Sequence, residues 1–258
     1  MLGKKTGAQT EKNVHLCIDS NPLYELLKAL LLEWGYVLTE EPVEESLLLI
    51  SEGLHIPSAP RHILTLSSSQ YQAGHRLGVP LTIEKLYLTL ENHFNRTPRN
   101  HIRINATWPI RVTVHGQQFQ TYTVVMADRG IRFISPFEIA TAEEMEILIE
   151  QDDETYNLHG KVVYSIDRKE IGRGNGIEVG VVCTPQSEEV RRSIRRRIIE
   201  TYLKRVRPAL GSNLFAEALL QFNANRIAEN AAISKTRIKD RGDTGHRLQE
   251  RNITAIKQ

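Results

Sequence analysis

The sequence predicts a small α/β domain, then an all-β domain, then C-terminal helices. Between residues 13 and 94, short apolar runs alternate with stretches of helical periodicity, which is typical of a mainly parallel sheet. Residues 95–207 are rich in Val, Ile, Thr and Tyr and show little helical periodicity before Ser187, which favours an antiparallel barrel or sandwich. A basic, helix-favouring segment follows at 208–258.

The α/β domain is predicted from two amphipathic helices and four short strands. The first helix places apolar residues at i, i+3, i+4, i+7, i+8 and i+11 from Leu23 to Trp34, and Gly35 follows as its stop. The second helix runs from Ile83 to Phe94. The predicted strands are apolar runs bounded by turn residues: Val14–Asp19, Tyr36–Thr39, Leu47–Ile50 and His62–Leu66.

Five β-rich segments predict the all-β domain, and one stretch between them, Ala142–Glu150, has a helical interpretation. The loop Gly172–Gly176 precedes a strand, so we interpret it as a hairpin loop and not as a phosphate-binding glycine loop. The predicted strands are Ile110–Val114, Phe119–Met126, Ile131–Ile134, Val162–Ile166 and Ile177–Cys183.

Two helices are predicted after the strands. Ser187 is a suitable N-cap for a helix from about Val190 to Arg205, which Pro208 ends. A second helical pattern runs from Leu214 to about Ile233. We expect residues 1–12 and 234–258 to lack fixed structure, and deletion of 211–258 to leave the fold unchanged.

Composition and charge narrow the class of protein. Of the 258 residues, 40% are hydrophobic and 25% are charged, as in ordinary globular proteins. No apolar stretch is long enough to span a membrane. The charged residues at the N-terminus are not followed by the apolar stretch of a signal peptide. Cys17 and Cys183 lie inside apolar segments, as buried thiols do in a reducing compartment. We therefore expect a cytoplasmic protein without membrane insertion.

The C-terminal region is strongly basic. Residues 188–258 carry 16 Lys and Arg against 8 Asp and Glu, whereas the blocks 1–98 and 99–187 are slightly acidic. Arg191, Arg192 and Arg195–Arg197 form a dense basic helix face, which fits a solvated surface or a site for nucleic acid, anionic lipid or an acidic partner. Nucleic acid is disfavoured because aromatic residues are not interleaved with the basic ones. We expect a protein partner to bind this region.

Two arginines four residues apart stand just before the all-β domain. Arg99 and Arg103 can converge on one anion, and guanidinium groups both bind phosphate bidentately and stack on flat bases. Beside them no metal or catalytic pattern stands out: the nine histidines have no metal-ligand spacing, and no Ser–His–Asp arrangement has a supporting context. On residue chemistry alone the two arginines are either an ordinary exposed pair or a phosphate site, and the sequence predicts no metal, no cofactor and no enzymatic activity.

These arginines, the strand Trp108–Val112 and the helix opened by Ser187–Glu189 resemble the PilZ domain. The resemblance covers roughly residues 96–205. It implies a six-stranded antiparallel β-barrel and a bacterial receptor for the second messenger cyclic di-GMP, with Arg99 and Arg103 holding its phosphates and guanines.

A second PilZ motif, Asp/Asn-x-Ser-x-x-Gly, is only partly present. The resemblance places Val125 at the Asp/Asn position and Ala127 at the Ser position, and only Gly130 is retained. Asp128 offers a carboxylate by a shifted register, so the resemblance implies Arg99, Arg103, Asp128 and Gly130 as ligand contacts. The alternative is a degenerate PilZ adaptor that binds no nucleotide and acts through protein–protein contacts.

The N-terminal region resembles a response-regulator receiver domain that has lost its chemistry. Val14–Asp19 resembles the first strand and acidic corner, and Val79–Leu81 the region around the receiver lysine. Receivers bind Mg²⁺ through paired acids, but here Asp19 stands alone, Ser51-Glu52 replaces the phospho-accepting Asp, and Leu81 replaces the lysine. This resemblance implies a pseudo-receiver that serves docking or homodimerisation.

Overall fold

The computed structural model describes residues 12–55, 62–67, 76–97, 99–152, 154–169, 172, 175–185 and 187–222. The chain divides into two compact units. The sheet unit comprises 1–32, 36–82 and 210–258, and the barrel unit comprises 33–35 and 83–209. The expectations for residues 1–11 and 223–258, and for Arg173 and Gly174 in the hairpin loop, lie outside the described residues.

The sheet unit is built on five parallel strands. They lie in the order β2-β1-β3-β4-β5, an order of doubly wound α/β sheets, so the predicted parallel sheet is confirmed. Residues 39–46 connect β2 to β3 without a helix. The strands are β1 (Asn13–Cys17), β2 (Val37–Leu38), β3 (Leu47–Ser51), β4 (His62–Ser67) and β5 (Arg76–Gly78).

The helix α1 (Asn21–Glu33) follows β1 and buries a face of leucines. Its side chains at 23, 26, 27, 30 and 31 are almost completely buried, as the helical spacing predicts. Gly35 then adopts a φ of 78°, the left-handed conformation that commonly ends a helix. The predicted helix is therefore confirmed to within two residues of its ends.

A segment from the C-terminal part of the chain completes the sheet unit. Helix α4 (Ser212–Leu220) buries Ala218, and Phe222 behind it is only 1% exposed. Leu81 N–H donates to the carbonyl of Gln221 at 2.9 Å, and Leu81 bridges to Phe222. The expectation that deletion of 211–258 leaves the fold unchanged is wrong for these residues, because a buried phenyl ring would be removed.

The barrel unit contains a closed, six-stranded antiparallel barrel. The ring runs β7-β10-β11-β12-β9-β8 and closes through the β8–β7 pair, and short β6 adds to β8. This confirms the predicted barrel. The strands are β6 (Arg103–Ile104), β7 (Pro109–Val114), β8 (Gln117–Ala127), β9 (Gly130–Ser135), β10 (Glu144–Gln151), β11 (Glu154–Asp167) and β12 (Ile177–Pro185).

The stretch Ala142–Glu150 is a strand and not a helix. In β10, Met145, Ile147 and Ile149 are buried while the residues between them face outward. This alternation has the period of two that a half-buried strand requires, and it outweighs the helix propensity of the glutamates. The hairpin interpretation of the loop after β11 is consistent with the antiparallel pairing of β11 and β12.

Two helices belong to the barrel unit. Helix α2 (Ile83–Phe94) matches its predicted bounds, and α3 (Glu188–Leu210) runs past Pro208, which lies in its last turn. The hydroxyl of Ser187 accepts a hydrogen bond from the N–H of Val190 at 3.2 Å, the cap that the sequence predicts. Of the helices that the structure describes, none combines the length and hydropathy needed to cross a membrane.

Candidate functional site

A solvent-open cavity of about 360 Å³ lies against the barrel. Strands β8, β9, β11 and β12 form it, together with the segment that leads into β6. Val163 and Val182, each more than half exposed, stand at its rim. The lining residues are His101, Arg103, Val125, Ala127, Arg129, Gly130, Ile131, Arg132, Val163, Tyr164, Gly180, Val181 and Val182.

The polar side chains of this pocket are almost all cationic or basic. Arg103, Arg129 and Arg132 line it together with His101, and its lining residues, as far as the structure describes the chain, include no Asp or Glu. Three guanidinium groups around one concave surface produce a positive potential that attracts anions. Guanidinium groups also match the geometry of phosphate oxygens. The pocket is therefore suited to an anionic ligand with phosphate groups.

Arg103 is the arginine of the sequence motif that reaches the pocket. Its backbone carbonyl accepts a hydrogen bond from the hydroxyl of Tyr202 on α3, which fixes the main chain at this point. Burial lowers the pKa of the Arg103 guanidinium, and the nearby charges of Arg99 and Arg132 lower it further. Within the described part of the chain, no carboxylate forms an ion pair with Arg103. An anion in the pocket would relieve this repulsion.

Arg99 is directed away from the pocket. Its Nη1 lies 3.0 Å from a carboxylate oxygen of Glu91 and donates to the hydroxyl of Tyr87 at 3.1 Å, and both partners lie on α2. Glu91 is buried, whereas the Arg99 side chain is 42% exposed. The two motif arginines are thus close enough for their charges to interact, but only Arg103 lines the pocket.

Arg132 belongs to a small network behind the pocket wall. Its Nη1 lies 3.1 Å from the buried carboxylate of Glu178, and the hydroxyl of Tyr164 donates to the same oxygen at 3.3 Å. Burial raises the pKa of Tyr164, so the phenol stays protonated. The Tyr164 ring lies over Gly180, where an added Cβ would collide with the ring carbons. Gly180 therefore makes room for the ring.

Asp128 is a buried anchor and does not line the pocket. Its carboxylate accepts two hydrogen bonds from Arg195 on α3, at 2.5 and 3.1 Å, and Nδ1 of His101 lies 3.0 Å away. Arg191 approaches the same carboxylate at 3.9 Å. The carboxylate thus joins the pocket-lining His101 to two arginines of α3.

The positions of the second motif form an apolar wall. Val125 and Ala127 line the pocket and are almost completely buried, so they offer neither an acceptor nor a donor side chain. Gly130 also lines the pocket, and a Cβ there would lie 3.2 Å from the carbonyl oxygen of Val181. Of the four predicted contacts, the structure brings Arg103 and Gly130 to the pocket and places Arg99 and Asp128 outside it.

Sequence reasoning missed four of the pocket's polar residues. His101 lies inside the Arg-x-x-x-Arg segment, and Arg132 follows Gly130 by two positions, hence on the same face of β9. That alternation is a signal the sequence contained. Arg129 in the β8–β9 turn and Tyr164 on β11 reach the same pocket only because the barrel closes. The sequence alone does not specify which residues of neighbouring strands pair when it closes.

The basic face of α3 is largely neutralised within the barrel unit. Arg195 lies 3.2 Å from Glu84 on α2, in addition to Asp128. Arg196 and Arg197 lie 2.5 and 3.3 Å from Glu154 at the start of β11. These three arginines are therefore not a freely solvated face, because their charges attach the helix to neighbouring elements; the partner interpretation stays a prediction.

The carboxyl-terminal ends of the parallel strands form a second polar cluster, in the sheet unit. The hydroxyl of Ser51 donates to Asp19 at 2.6 Å, and the hydroxyl of Ser67 donates to Glu52 at 2.7 Å. The hydrogen bond from Ser51 lowers the pKa of Asp19. Over the residues that the structure describes, no three His, Cys, Asp or Glu side chains are grouped as a metal site requires.

Comparison with known proteins identifies the barrel unit. The family model described as "PilZ domain" matches residues 97–200, so this part of the chain is a PilZ domain. Among curated proteins, none matches the chain. The domain contains the barrel, the pocket and the first half of α3.

Two solved structures are similar to part of this chain. The PilZ domain of YcgR from Escherichia coli, solved with cyclic di-GMP, is 13% identical, covers 45% of this chain and 97% of its own, and has a TM-score of 0.37. The Bacillus subtilis inhibitor of motility MotI/DgrA is 11% identical, with 43% and 54% covered and a TM-score of 0.38. The match thus spans about half the length of MotI/DgrA.

Proposed function

We propose that this protein is a non-enzymatic bacterial receptor for cyclic di-GMP, with the barrel pocket as its binding site. The observation that carries the proposal is the convergence of Arg103, Arg129 and Arg132 on one cavity of a PilZ domain. Cyclic di-GMP presents two phosphodiesters and two flat bases, and guanidinium groups bind phosphate and stack on bases. The cavity, at about 360 Å³, takes part of such a ligand and leaves the rest at its open side.

The ligand contacts proposed from the sequence divide into two groups. Arg103 and Gly130 contact the ligand directly, since both line the pocket. Arg99 joins them only by leaving Glu91, and Asp128 acts indirectly by holding His101. In this mechanism ligand phosphates recruit the arginine segment by charge-assisted hydrogen bonds and order it on the barrel.

The occupied receptor then acts through a protein partner. We propose that the sheet unit is a pseudo-receiver that serves docking or homodimerisation. Its doubly wound strand order supports this proposal, and so do the hydrogen bonds that Asp19 and Glu52 accept from serine hydroxyls. The basic region after α4, which lies outside the described residues, is the proposed partner site. A cytoplasmic location stays a prediction from the sequence.

A second candidate is a degenerate adaptor that binds no nucleotide. Two observations favour it: Val125 and Ala127 give the pocket an apolar wall, and Arg99 is already paired with Glu91. Hydrogen bonds with a charged partner contribute about 1.5–3 kcal/mol each, so the loss of such groups from a site can abolish binding. The two candidates differ in one measurable quantity, the affinity for cyclic di-GMP.

Isothermal titration of the full chain with cyclic di-GMP separates the candidates. The receptor proposal expects saturable binding in the micromolar range or tighter, and a loss of about tenfold or more in Arg103→Ala. Arg111→Ala is the matched control, because Arg111 is a barrel arginine on β7 that does not line the pocket. Absence of binding up to about 1 mM ligand supports the adaptor. Equal binding by wild type and Arg103→Ala overturns the pocket as the binding site.

A further inference from the structure

We propose that the outer face of helix α4 is a self-association surface, on which two copies of the chain pack α4 against α4, antiparallel, across a twofold axis. The inference rests on the proposed function, since it assigns a surface to the homodimerisation proposed for the sheet unit. It follows from one property of α4: the helix is apolar on all sides, but little of it is buried.

Helix α4 is more apolar than its burial explains. Six of its nine residues are Leu, Phe or Ala, and Glu217 is its only charged residue. A helix that is apolar all round is normally covered on all sides. In α4, which the structure describes throughout, only Ala218 is buried. Leu220 is 69% exposed, the largest exposure of any large hydrophobic side chain in the described chain. The helix therefore has an uncovered apolar face.

Ala216 and Leu220 form one stripe on that face. Each lies two positions from the buried Ala218, hence about 200° around the helix axis from it, and both are exposed. The two residues are four positions apart, so they are neighbours on the helix surface. Leu219, which is half-buried, flanks the stripe. The outer face thus presents a large apolar side chain beside a small one.

A second copy of the chain fits this stripe because the stripe is self-complementary. Across a twofold axis, residue i of one copy meets residue j of the other, and j meets i. The side chain of Leu220 in each copy then occupies the space beside Ala216 of the other copy, so that large and small residues interdigitate. Antiparallel helices also set the N-terminus of one dipole near the C-terminus of the other.

Charge and sequence favour a second copy over other occupants. With Glu217 as its single charge, α4 offers a basic or acidic partner little to recognise and opposes self-association little. The sequence that follows α4 is also poor in groups that could cover the face: between Asn223 and Ala232 the only large apolar residue is Ile227. A second copy supplies an apolar face of matching shape.

The size of the face determines the strength of the association. A helix of nine residues is about 14 Å long, and one side of it covers far less than the ~800 Å² per partner of a standard interface. We therefore expect a weak dimer, with a dissociation constant between about 50 µM and 1 mM. The chain is then monomeric at low micromolar concentration.

Analytical ultracentrifugation of the full chain between about 5 and 500 µM tests the inference. We expect the mean mass of the wild type to rise toward that of a dimer and Leu220→Glu to remain monomeric, with melting curves that show both folded. Leu32→Glu is the matched control and should associate as the wild type does. Leu32 is 53% exposed at the far end of α1, whereas Gln221, after α4, donates to Ser20 at the start of α1. A wild type that stays monomeric, or equal association by wild type and Leu220→Glu, overturns the inference.

Disulfide cross-linking tests the antiparallel arrangement. Chains carrying Ala216→Cys and chains carrying Leu220→Cys are mixed and oxidised, and peptide mass mapping identifies the linked positions and separates them from links through the native Cys17. We expect links between position 216 of one copy and position 220 of the other to dominate, because only close Cβ atoms form a disulfide. Links that join identical positions instead contradict the arrangement.

Titration with cyclic di-GMP keeps this test separate from the receptor proposal. Leu220→Glu should bind cyclic di-GMP with unchanged affinity, because α4 lies outside the PilZ domain at residues 97–200. A monomeric wild type that binds cyclic di-GMP overturns the self-association surface and leaves the receptor standing. A wild type that dimerises through α4 but does not bind cyclic di-GMP overturns the receptor and leaves the surface standing.

Discussion

The carboxylate of Glu91 on α2 holds the guanidinium of Arg99 at 3.0 Å, although Arg99 belongs to the motif expected to bind the ligand. Glu91 is only 4% exposed, so its charge is poorly solvated and depends on the arginine. Arg103, four residues later, lines the pocket and forms no ion pair with the described residues. The two arginines therefore differ in what ligand binding requires of them: Arg99 must first leave Glu91.

Neutralising Glu91 should strengthen ligand binding. In Glu91→Gln the ion pair is removed, Arg99 is released toward the pocket, and we expect the affinity for cyclic di-GMP to rise about threefold to tenfold, as fits one ion pair. Isothermal titration measures the change. The double variant Glu91→Gln/Arg99→Ala is the control and should lose the gain. An unchanged affinity in Glu91→Gln means that Arg99 does not have to move.

The sequence predicts which segment reaches the pocket, but not which of its side chains line it. The PilZ resemblance implies Arg103 and Gly130 as ligand contacts, and both line the pocket. The diversion of Arg99 depends on Glu91, which lies on a different element and has no sequence signal as a partner. Such pairings are set by how elements pack, which local pattern does not determine.

Asp128 should behave as a structural residue and not as a ligand contact. In Asp128→Asn the buried charge is lost and Arg195 loses its closest carboxylate. We expect the free energy of unfolding to fall by about 2–4 kcal/mol, measured by chemical denaturation. The affinity of the folded variant for cyclic di-GMP should change by less than about threefold.

The opposite pattern would contradict this assignment. A large loss of affinity with unchanged stability would make Asp128 the ligand contact that the sequence suggests by a shifted register. Asp167→Asn is a suitable control, because Asp167 ends β11 and its carboxylate, among the residues that the structure describes, accepts only a local hydrogen bond from the N–H of Lys169 at 2.9 Å. Its effect on stability should remain below about 1 kcal/mol.

Phe222 should be essential to the sheet unit. Its ring is 1% exposed, and Phe222→Ala should lower the free energy of unfolding of this unit by about 3–5 kcal/mol, the usual cost of deleting a buried ring. Circular dichroism during urea unfolding measures the change. The neighbouring Leu220 is 69% exposed, and Leu220→Ala should change stability by about 0.5 kcal/mol or less. Equal effects of the two variants would mean that the ring is not packed in the native protein.

The return of the chain to the sheet unit was not predictable from composition. Residues 208–258 are sparse in large apolar residues, and such a segment cannot form a core of its own. Ala218 and Phe222 instead complete a core made by residues far earlier in the chain. The single buried ring of Phe222 is enough to complete this core. One phenylalanine hardly changes the average hydrophobicity of the segment, and that average was the basis for expecting that the segment could be deleted.

Glu154, at the start of β11, is one of the carboxylates that attach α3 to the barrel. Glu154 contacts Arg196 and Arg197 and accepts hydrogen bonds from Tyr156 and Ser193. Burial acts to raise the pKa of Glu154, but the hydrogen bond from Tyr156 and the two arginine charges outweigh it, so the pKa is lowered from its ordinary value of 4.5. The folded state therefore stabilises the ionised form of the Glu154 carboxylate more than the unfolded state does.

This lowered pKa gives the stability of the barrel unit a defined acid dependence. A carboxylate whose pKa is lower in the folded state contributes stability that is complete above its unfolded pKa and is lost as the pH falls through its folded pKa. We expect Glu154→Gln to cost about 1–3 kcal/mol at neutral pH. The difference from wild type should stay constant between about pH 6 and 8 and shrink below about pH 4.5. Urea unfolding at several pH values measures it, with the exposed Glu189→Gln as control. A difference that persists unchanged at low pH would show that the shape of the side chain, and not its charge, attaches the helix.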